Sequence, residues 1–233
     1  MIQIPIMTNN FAKLESALNY KFNDISLLEE ALSHPSLKQT DNSKHDYERL
    51  EFLGDAILGF LVTEMVFNKF TDYEEGHIAK IKAYAISGDI LVKIADTVNL
   101  VDHIIMTRGE ETSGGRSNHH NIENTMEAVL AAIYLDSNID QTRTIVTTFW
   151  SKHIENIDFN TADPKTYLQE LLQNRIHIMP KYEVVKQEGT VHSPIFTVRV
   201  SVPDKSQTGT GKTIKKAEKD AARKLLKKIN NEL

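Results

Sequence analysis

Apolar positions recur at helical spacing through the first two thirds of the chain and alternate in the last third. In FAKLESALNYKF, Phe11, Leu14 and Leu18 share one helical face. ISLLEEALSH follows, with Asp24 placed as its N-cap and Pro35 as its stop. The polar stretch KQTDNSKHD predicts a loop. The run YERLEFLGDAILGFLVTEMVFNKF, ending at Phe70, holds no proline and would span about 36 Å as one helix. It is apolar on most sides, which predicts a place in a core or an interface. Further helices are predicted from about Glu74 to Val98, from Ile122 through MEAVLAAIYL, and from about Ile139 to Ile154. The glycine-rich, polar TRGEETSGGRSNHHN predicts a loop between the first two of these. Gly54 and Gly59 stand inside the long helix, where each costs about 1 kcal/mol relative to Ala, which points to a close approach of another helix.

After a linker-like NIDFNTADPK the pattern changes. TYLQELLQNR predicts a short helix. KYEVVKQEG and PIFTVRVSV alternate as strands do, SQTGTGK predicts a third, short strand, and KKAEKDAARKLLKKI a closing helix. The expected organisation is an all-α domain over residues 8–157, a linker over 158–162, and an α-β-β-β-α domain over 163–231.

Charge sharpens this division. From Asp163 onward the chain carries 14 Lys and Arg against 8 Asp and Glu, a net of +6, which leaves 13 against 24, a net of −11, for the part before it. An acidic body with a basic second domain predicts cations held by one and a polyanion by the other. There are no cysteines, so disulfides and thiolate metal sites are excluded. No apolar run approaches the roughly 20 residues of a membrane helix, and MIQIPIMTNN lacks the basic flank and apolar core of a secretory signal. A cytoplasmic protein without membrane contact is expected.

The long helix carries Glu48, Glu51 and Asp55 within about 60° of one another on one face. Amid so many apolar neighbours these carboxylates require water, Arg or Lys partners, or a metal ion. Arg49 and Lys80 are available partners. A second helix carries Glu123, Asn124 and Glu127, the last two on a shared face. Oxygen-only donors from two packed helices suit Mg²⁺, with Mn²⁺ as a substitute. His119 and His120 fit a solvated loop, because no further His is placed to close a site with them. His34 fits a helix end and Trp150 a core position. Gly211-Lys212-Thr213 invites a P-loop reading, but the glycine required five residues earlier is Ser206, so no nucleotide cofactor is expected.

Glu48-Arg-Leu-Glu-Phe-Leu-Gly-Asp55 closely resembles the signature of the ribonuclease III family. Glu75-Gly76, the Gly114-Gly115 loop and Asn124-Thr-Met-Glu127-Ala follow in the order that family has them. The resemblance covers nearly the whole chain. It implies a helical nuclease domain acting as a homodimer on double-stranded RNA, with a metal site in each subunit. Carried over by position, Glu51, Asp55, Asn124 and Glu127 would hold the metal. Asp55 and Glu127 would be catalytic, and Glu48 and Glu75 would be supporting acids. Each RNA strand would be cut once, leaving a 5′ phosphate, a 3′ hydroxyl and a short 3′ overhang, in the processing of rRNA and mRNA precursors. The family pattern usually has Asp where this chain has Asn124. The site then holds three negative charges instead of four, which predicts weaker metal affinity or a shift toward Mn²⁺. The alternative is a double-stranded-RNA-binding protein that cuts weakly or not at all.

The second domain resembles a double-stranded-RNA-binding domain, a fold that reads duplex shape over about 16 base pairs. The resemblance implies Gln169 and Glu170 as minor-groove contacts, His192 as a second minor-groove probe, and Lys212, Lys215, Lys216 and Lys219 on phosphates. Gly209 and Gly211 precede a helix N-terminus that favours phosphate. Ile214 stands where the family often has a basic residue.

Overall fold

The structure, a computed structural model, describes residues 11–38, 45–157, 162–190 and 193–230. The described residues form two compact units. One consists of those up to Asp72 together with Ala85–Asn156, and the other of Tyr73–Tyr84 together with those from Ile157 onward.

The first unit is built from helices. After α1 (Ala12–Leu18), α2 (Ile25–Leu32) begins at Asp24, whose carboxylate accepts the Ser26 N–H at 3.0 Å. Pro35 opens a 3-10 turn (Pro35–Leu37), where His34 acts as a cap: its Nδ1 accepts the Ser36 N–H at 3.0 Å. The signature segment forms α3 (Glu48–Lys69), with Leu50, Gly54, Ile57, Leu58, Leu61, Val62 and Val66 buried along one face.

The single helix expected from Glu74 to Val98 is two, α4 (Glu75–Ala85) and α5 (Gly88–Thr97), and α4 groups with the second unit. Ser87 breaks the run with extended backbone (φ −71°, ψ 150°), the conformation of an N-cap. The expected loop before Ile122 also holds structure: α6 (Arg108–Thr112) and a 3-10 turn (Gly115–Ser117). α7 (His119–Asp136) starts earlier than expected because Asn118 caps it, accepting the His120 N–H at 3.0 Å. α8 (Ile139–Glu155) follows, capped by Asn138.

α7 is the axis of this unit. From Ile122 to Ile133 every residue but Glu123 is buried, as expected of a helix enclosed on all sides, here by α2, α3 and α5. Trp150 is fully buried and its Nε1–H donates to the Ala85 carbonyl at 3.0 Å, a core residue with its polar atom satisfied.

Asp136, the last residue of α7, clasps the segment between α1 and α2. It accepts hydrogen bonds from the Tyr20 hydroxyl (2.5 Å) and from the backbone N–H groups of Asn23 and Asp24 (2.8 Å each). Burial works to raise its pKa, but these donors outweigh it and hold the carboxyl below its ordinary value. Such a group stabilises the fold above its unfolded pKa, and the contribution is lost as pH falls through the depressed folded value. Asp136→Ala is expected to cost about 1–3 kcal/mol at pH 7. Chemical denaturation should show the difference between variant and parent shrinking below pH 4; a constant difference would refute the clasp.

The second unit contains α4, α9 (Pro164–Ile176), the strands β1 (Lys181–Thr190), β2 (Ser193–Val202) and β3 (Lys205–Gly211), and α10 (Ile214–Asn230). The strands pair antiparallel in the order β1-β2-β3. Val198, at the centre of β2, lies opposite Val184 on one side and Gly209 on the other. Leu168 and Leu172 of α9, Val200 of β2 and Ala221, Ala222, Leu225 and Leu226 of α10 form the core. Among the described residues no helix is long and apolar enough to cross a membrane.

Candidate functional site

α3 and α7 meet at a glycine. A Cβ built on Gly54 would run into the backbone carbonyl of Glu127, so the absence of a side chain there lets the two helices touch. Gly54 lies directly before Asp55 and three residues after Glu51. The same contact that packs the helices therefore brings Glu127 to the acids of α3. The close approach expected at this glycine is within the chain.

Burial is graded across the group. Glu127 and Asn124 are buried, each 8% exposed, while Glu51 and Glu123 are half-buried and Asp55 is exposed. Burial pushes the Glu127 carboxyl up to about 8, reinforced by the negative charges of Asp55, Glu123 and Glu51. Glu51 is raised for the same first reason, with His120 opposing and Glu48, Glu123 and Asp55 adding to the rise. Tyr47, at the start of α3, is pushed up to about 12, by burial first and then by Glu51, while a hydrogen bond with the Asn124 side chain acts in the other direction. The carboxylates of Glu51, Asp55, Glu123 and Glu127 thus share one electrostatic neighbourhood in which they repel one another.

Among the described residues no three His, Asp or Glu side chains are drawn close enough to enclose a cation. The donor set nonetheless fits a hard divalent ion. Its donors are all oxygens, carried on two helices locked together at Gly54, and its most buried carboxylate carries an energetic penalty that a cation would remove.

The supporting acids are placed differently. Glu48 is exposed and lies 3.4 Å from the Lys38 ammonium, which also lies 2.6 Å from the buried Asp46. Lys38 is a partner the sequence did not point to, since its pairing depends on how the 3-10 turn returns to α3. Glu75 is exposed in the first turn of α4, within the second unit. Glu123 belongs with the acids by its effect on both Glu51 and Glu127, and its position four residues before Glu127 was the available signal. His119 and His120 are exposed in the first turn of α7 instead of a loop, with His120 Nδ1 4.0 Å from the Glu123 carboxylate.

In the second unit Lys212, Lys215 and Lys216 are exposed around the start of α10 and Lys219 is half-buried. Thr213 starts the helix, its Oγ1 accepting the Lys216 N–H at 3.2 Å. Gly209 and Gly211 have a packing role here. A Cβ on Gly211 would lie 2.6 Å from the Ala217 nitrogen, and one on Gly209 would strike the Ala217 and Ala221 backbone. Side-chain-free positions on β3 let the strand press onto α10 and so fix where its lysines emerge. Gln169 is exposed and Glu170 half-buried on α9; His192 lies outside the described residues.

A family model described as ribonuclease-III-like matches residues 24–154, and one described as a double-stranded RNA binding motif matches residues 164–229. The chain is 52% identical to "Ribonuclease 3" of Rickettsia felis over 221 residues, covering 94% of this chain and 98% of that one. It is 50% identical to "Ribonuclease 3" of Rickettsia prowazekii, covering 94% and 99%. Among solved structures, the nuclease domain of ribonuclease III from Campylobacter jejuni superposes with a TM-score of 0.59 at 38% identity, covering 64% of this chain and 99% of that one. With one model matching over half its length and full-length relatives at half identity, the chain belongs to the ribonuclease III family.

Proposed function

We propose that this protein is a Mg²⁺-dependent, homodimeric endoribonuclease that hydrolyses double-stranded RNA, with Mn²⁺ able to replace Mg²⁺. Double-strand endoribonuclease activity follows from the family and from the RNA-binding motif beside it. The observation that carries the metal assignment is the buried Glu127, raised to about 8 among Asp55, Glu123 and Glu51, on a helix pinned to α3 at Gly54.

Glu51, Asp55, Asn124 and Glu127 would hold the ion. When bound, it would supply charge stabilisation at the scissile phosphate and a water of lowered pKa. Asp55, the exposed member, would orient the attacking water and accept its proton at a carboxylate oxygen. Glu127, buried, would fix the donor geometry. Glu48 holds the start of α3 through Lys38. Glu75 remains a proposed supporting acid. The products would be a 5′ phosphate and a 3′ hydroxyl with a short 3′ overhang, from rRNA and mRNA precursors in the cytoplasm. The proposed domain limits are 8–157 and 163–231, joined by a linker at 158–162.

Cleavage of an end-labelled RNA duplex by the purified protein, with Mg²⁺, Mn²⁺ or chelator, tests the reading beside a Glu127→Ala control. Metal-dependent cutting lost in the control supports it. Binding without cutting in either metal would remove the nuclease assignment.

In the second domain Gln169, Glu170 and His192 are proposed to reach minor grooves and Lys212, Lys215, Lys216 and Lys219 the phosphates between them. Replacing Lys215 or Lys216 with Ala should weaken binding to all duplex sequences alike and lower the salt slope of log K by about 1 each. Fluorescence anisotropy at several salt concentrations measures this, and an unchanged slope would remove that lysine from the interface.

Dimerisation has support in the exposed apolar surface of α3, where Phe52 is 83% and Phe67 66% exposed. In the related nuclease domain from Campylobacter jejuni, structural flexibility has been described in a region involved in dimer formation. Phe52→Asp should shift the protein toward monomer in sedimentation experiments; an unshifted dimer would place the interface elsewhere.

A further inference from the structure

The closing helix of the second unit is basic, with seven Lys and Arg over Ile214–Asn230. Two acids interrupt it, Glu218 and Asp220. On a helix whose lysines are proposed to meet RNA phosphates, each acid opposes binding by its charge alone. Glu218 is engaged with another element: its carboxylate lies 2.6 Å from the Lys165 ammonium of α9. Asp220 has a partner of a different kind.

β3 lies at an edge of the sheet, where backbone groups lack a second neighbouring strand. There the half-buried Asp220 reaches across from α10, and its Oδ2 accepts the Thr210 N–H at 3.0 Å. The same oxygen lies 2.8 Å from the Lys224 ammonium, and Oδ1 lies 3.7 Å from the Arg223 guanidinium. Burial works to raise this carboxyl, but Lys224, the Thr210 N–H and Arg223 outweigh it and hold the group below its ordinary value, so it is ionised at neutral pH. Thr210 stands between Gly209 and Gly211, the two positions whose missing side chains let β3 press onto the α10 backbone. Three residues later Thr213 forms a second anchor. Its Oγ1 accepts the Lys216 N–H at 3.2 Å and its carbonyl accepts the Ala217 N–H at 3.0 Å. The exposed Lys212 lies between these two anchors.

We infer that Asp220 is a positioning residue for duplex binding: it fixes the end of β3 through the Thr210 N–H and thereby holds Lys212 where a phosphate can meet it. The inference rests on the reading of this domain as a duplex binder. It assigns to an acid on the basic helix a gain in binding that outweighs its own repulsion of RNA.

The test uses the full-length protein and the fluorescence anisotropy of a labelled RNA duplex, in chelator so that none is cut. It compares the parent with Asp220→Ala and Asp220→Asn. Both changes remove the negative charge, but only Asn keeps an oxygen able to accept the Thr210 N–H. Charge alone would make both variants bind more tightly than the parent. The positioning role gives the two variants different signs. Asp220→Ala is expected to weaken binding severalfold and to lower the salt slope of log K by about 1, the loss of one phosphate contact, while Asp220→Asn binds at least as tightly as the parent. Tighter or unchanged binding by Asp220→Ala overturns the inference, as does equal weakening by both variants. Thermal melts check that each variant folds. If Asp220→Ala does not fold, weakened binding by a folded Asp220→Asn protein overturns the inference and retained binding supports it. A Lys212→Ala background separates positioning from general damage: Asp220→Ala should cost little more there, and an undiminished cost overturns the inference. A further readout needs no RNA. Hydrogen exchange at the Thr210 amide should quicken in Asp220→Ala and stay slow in Asp220→Asn; unchanged exchange in Asp220→Ala overturns the inference even if the domain binds duplex. No duplex binding by the parent would instead defeat the reading of the domain, and the inference with it.

Discussion

Glu127→Gln is expected to abolish duplex cleavage and, in the same protein, to raise the stability of the metal-free fold at pH 8. The first effect follows from removing a proposed metal ligand. Loss of several kcal/mol of transition-state stabilisation corresponds to a fall on the order of a thousandfold in cleavage rate. The second follows from the sign of the pKa shift. The folded carboxyl titrates at about 8, far above its ordinary value. Between those two values the unfolded chain has released the proton and the folded chain has not, so the folded state binds more protons and stability falls as pH rises. Above about pH 8 the full penalty is present. Gln cannot ionise and removes the penalty, by about 1–3 kcal/mol once the shift is discounted for solvent screening. Denaturation in chelator from pH 5 to 9 should therefore show the parent losing stability while the variant stays level. Added Mg²⁺ should close much of that gap for the parent alone. Parallel curves for the two proteins would mean that Glu127 does not carry a buried, repelled charge.

The residues that carry this behaviour are legible in the sequence to different degrees. Helical spacing and strand alternation mark both domains, because burial on one face imposes those periods directly. The acids of α3 and α7 are legible because they stand at fixed helical offsets. The break at Ile86 and Ser87 is not, since apolar spacing continues across it and two residues suffice to interrupt the run. The start of α7 escapes the pattern for a related reason: Asn118 caps a helix whose first turn is polar and exposed, so the apolar period begins later than the helix does. Lys38 leaves no trace in local pattern, because its pairing with Glu48 and Asp46 is set by tertiary placement. In sequence Gly209 and Gly211 stand out as neighbours of phosphate, whereas the packing of β3 on α10 already requires them. Sequence shows that Gly54 is unusual; which element presses against it needs the tertiary structure.

Gly54→Ala should therefore behave opposite to intuition. In an open helix the change stabilises by about 1 kcal/mol, because Ala is the better helix former. At Gly54 the added methyl would meet the carbonyl, carbonyl carbon and Cα of Glu127, all backbone atoms of a helix buried on every side. Neither helix can yield without shifting the other, and overpacking of that kind costs about 1–3 kcal/mol on top of the forfeited propensity gain. The same shift moves Glu127 away from Glu51 and Asp55, and a displacement of about 1 Å at reacting groups can cost on the order of a hundredfold in rate. Gly109→Ala is the control, since nothing lies within 4 Å of a Cβ built there, and its effect should stay within about 0.5 kcal/mol. Denaturant melts of both variants give the stabilities, and single-turnover cleavage gives the rates. Because the contact lies within one chain, the loss in stability from Gly54→Ala should not vary with protein concentration beyond the dependence the parent already shows. A neutral or stabilising Gly54→Ala would mean that α3 and α7 are not locked at this point, and the placement of Glu127 against the acids of α3 would lose its structural basis.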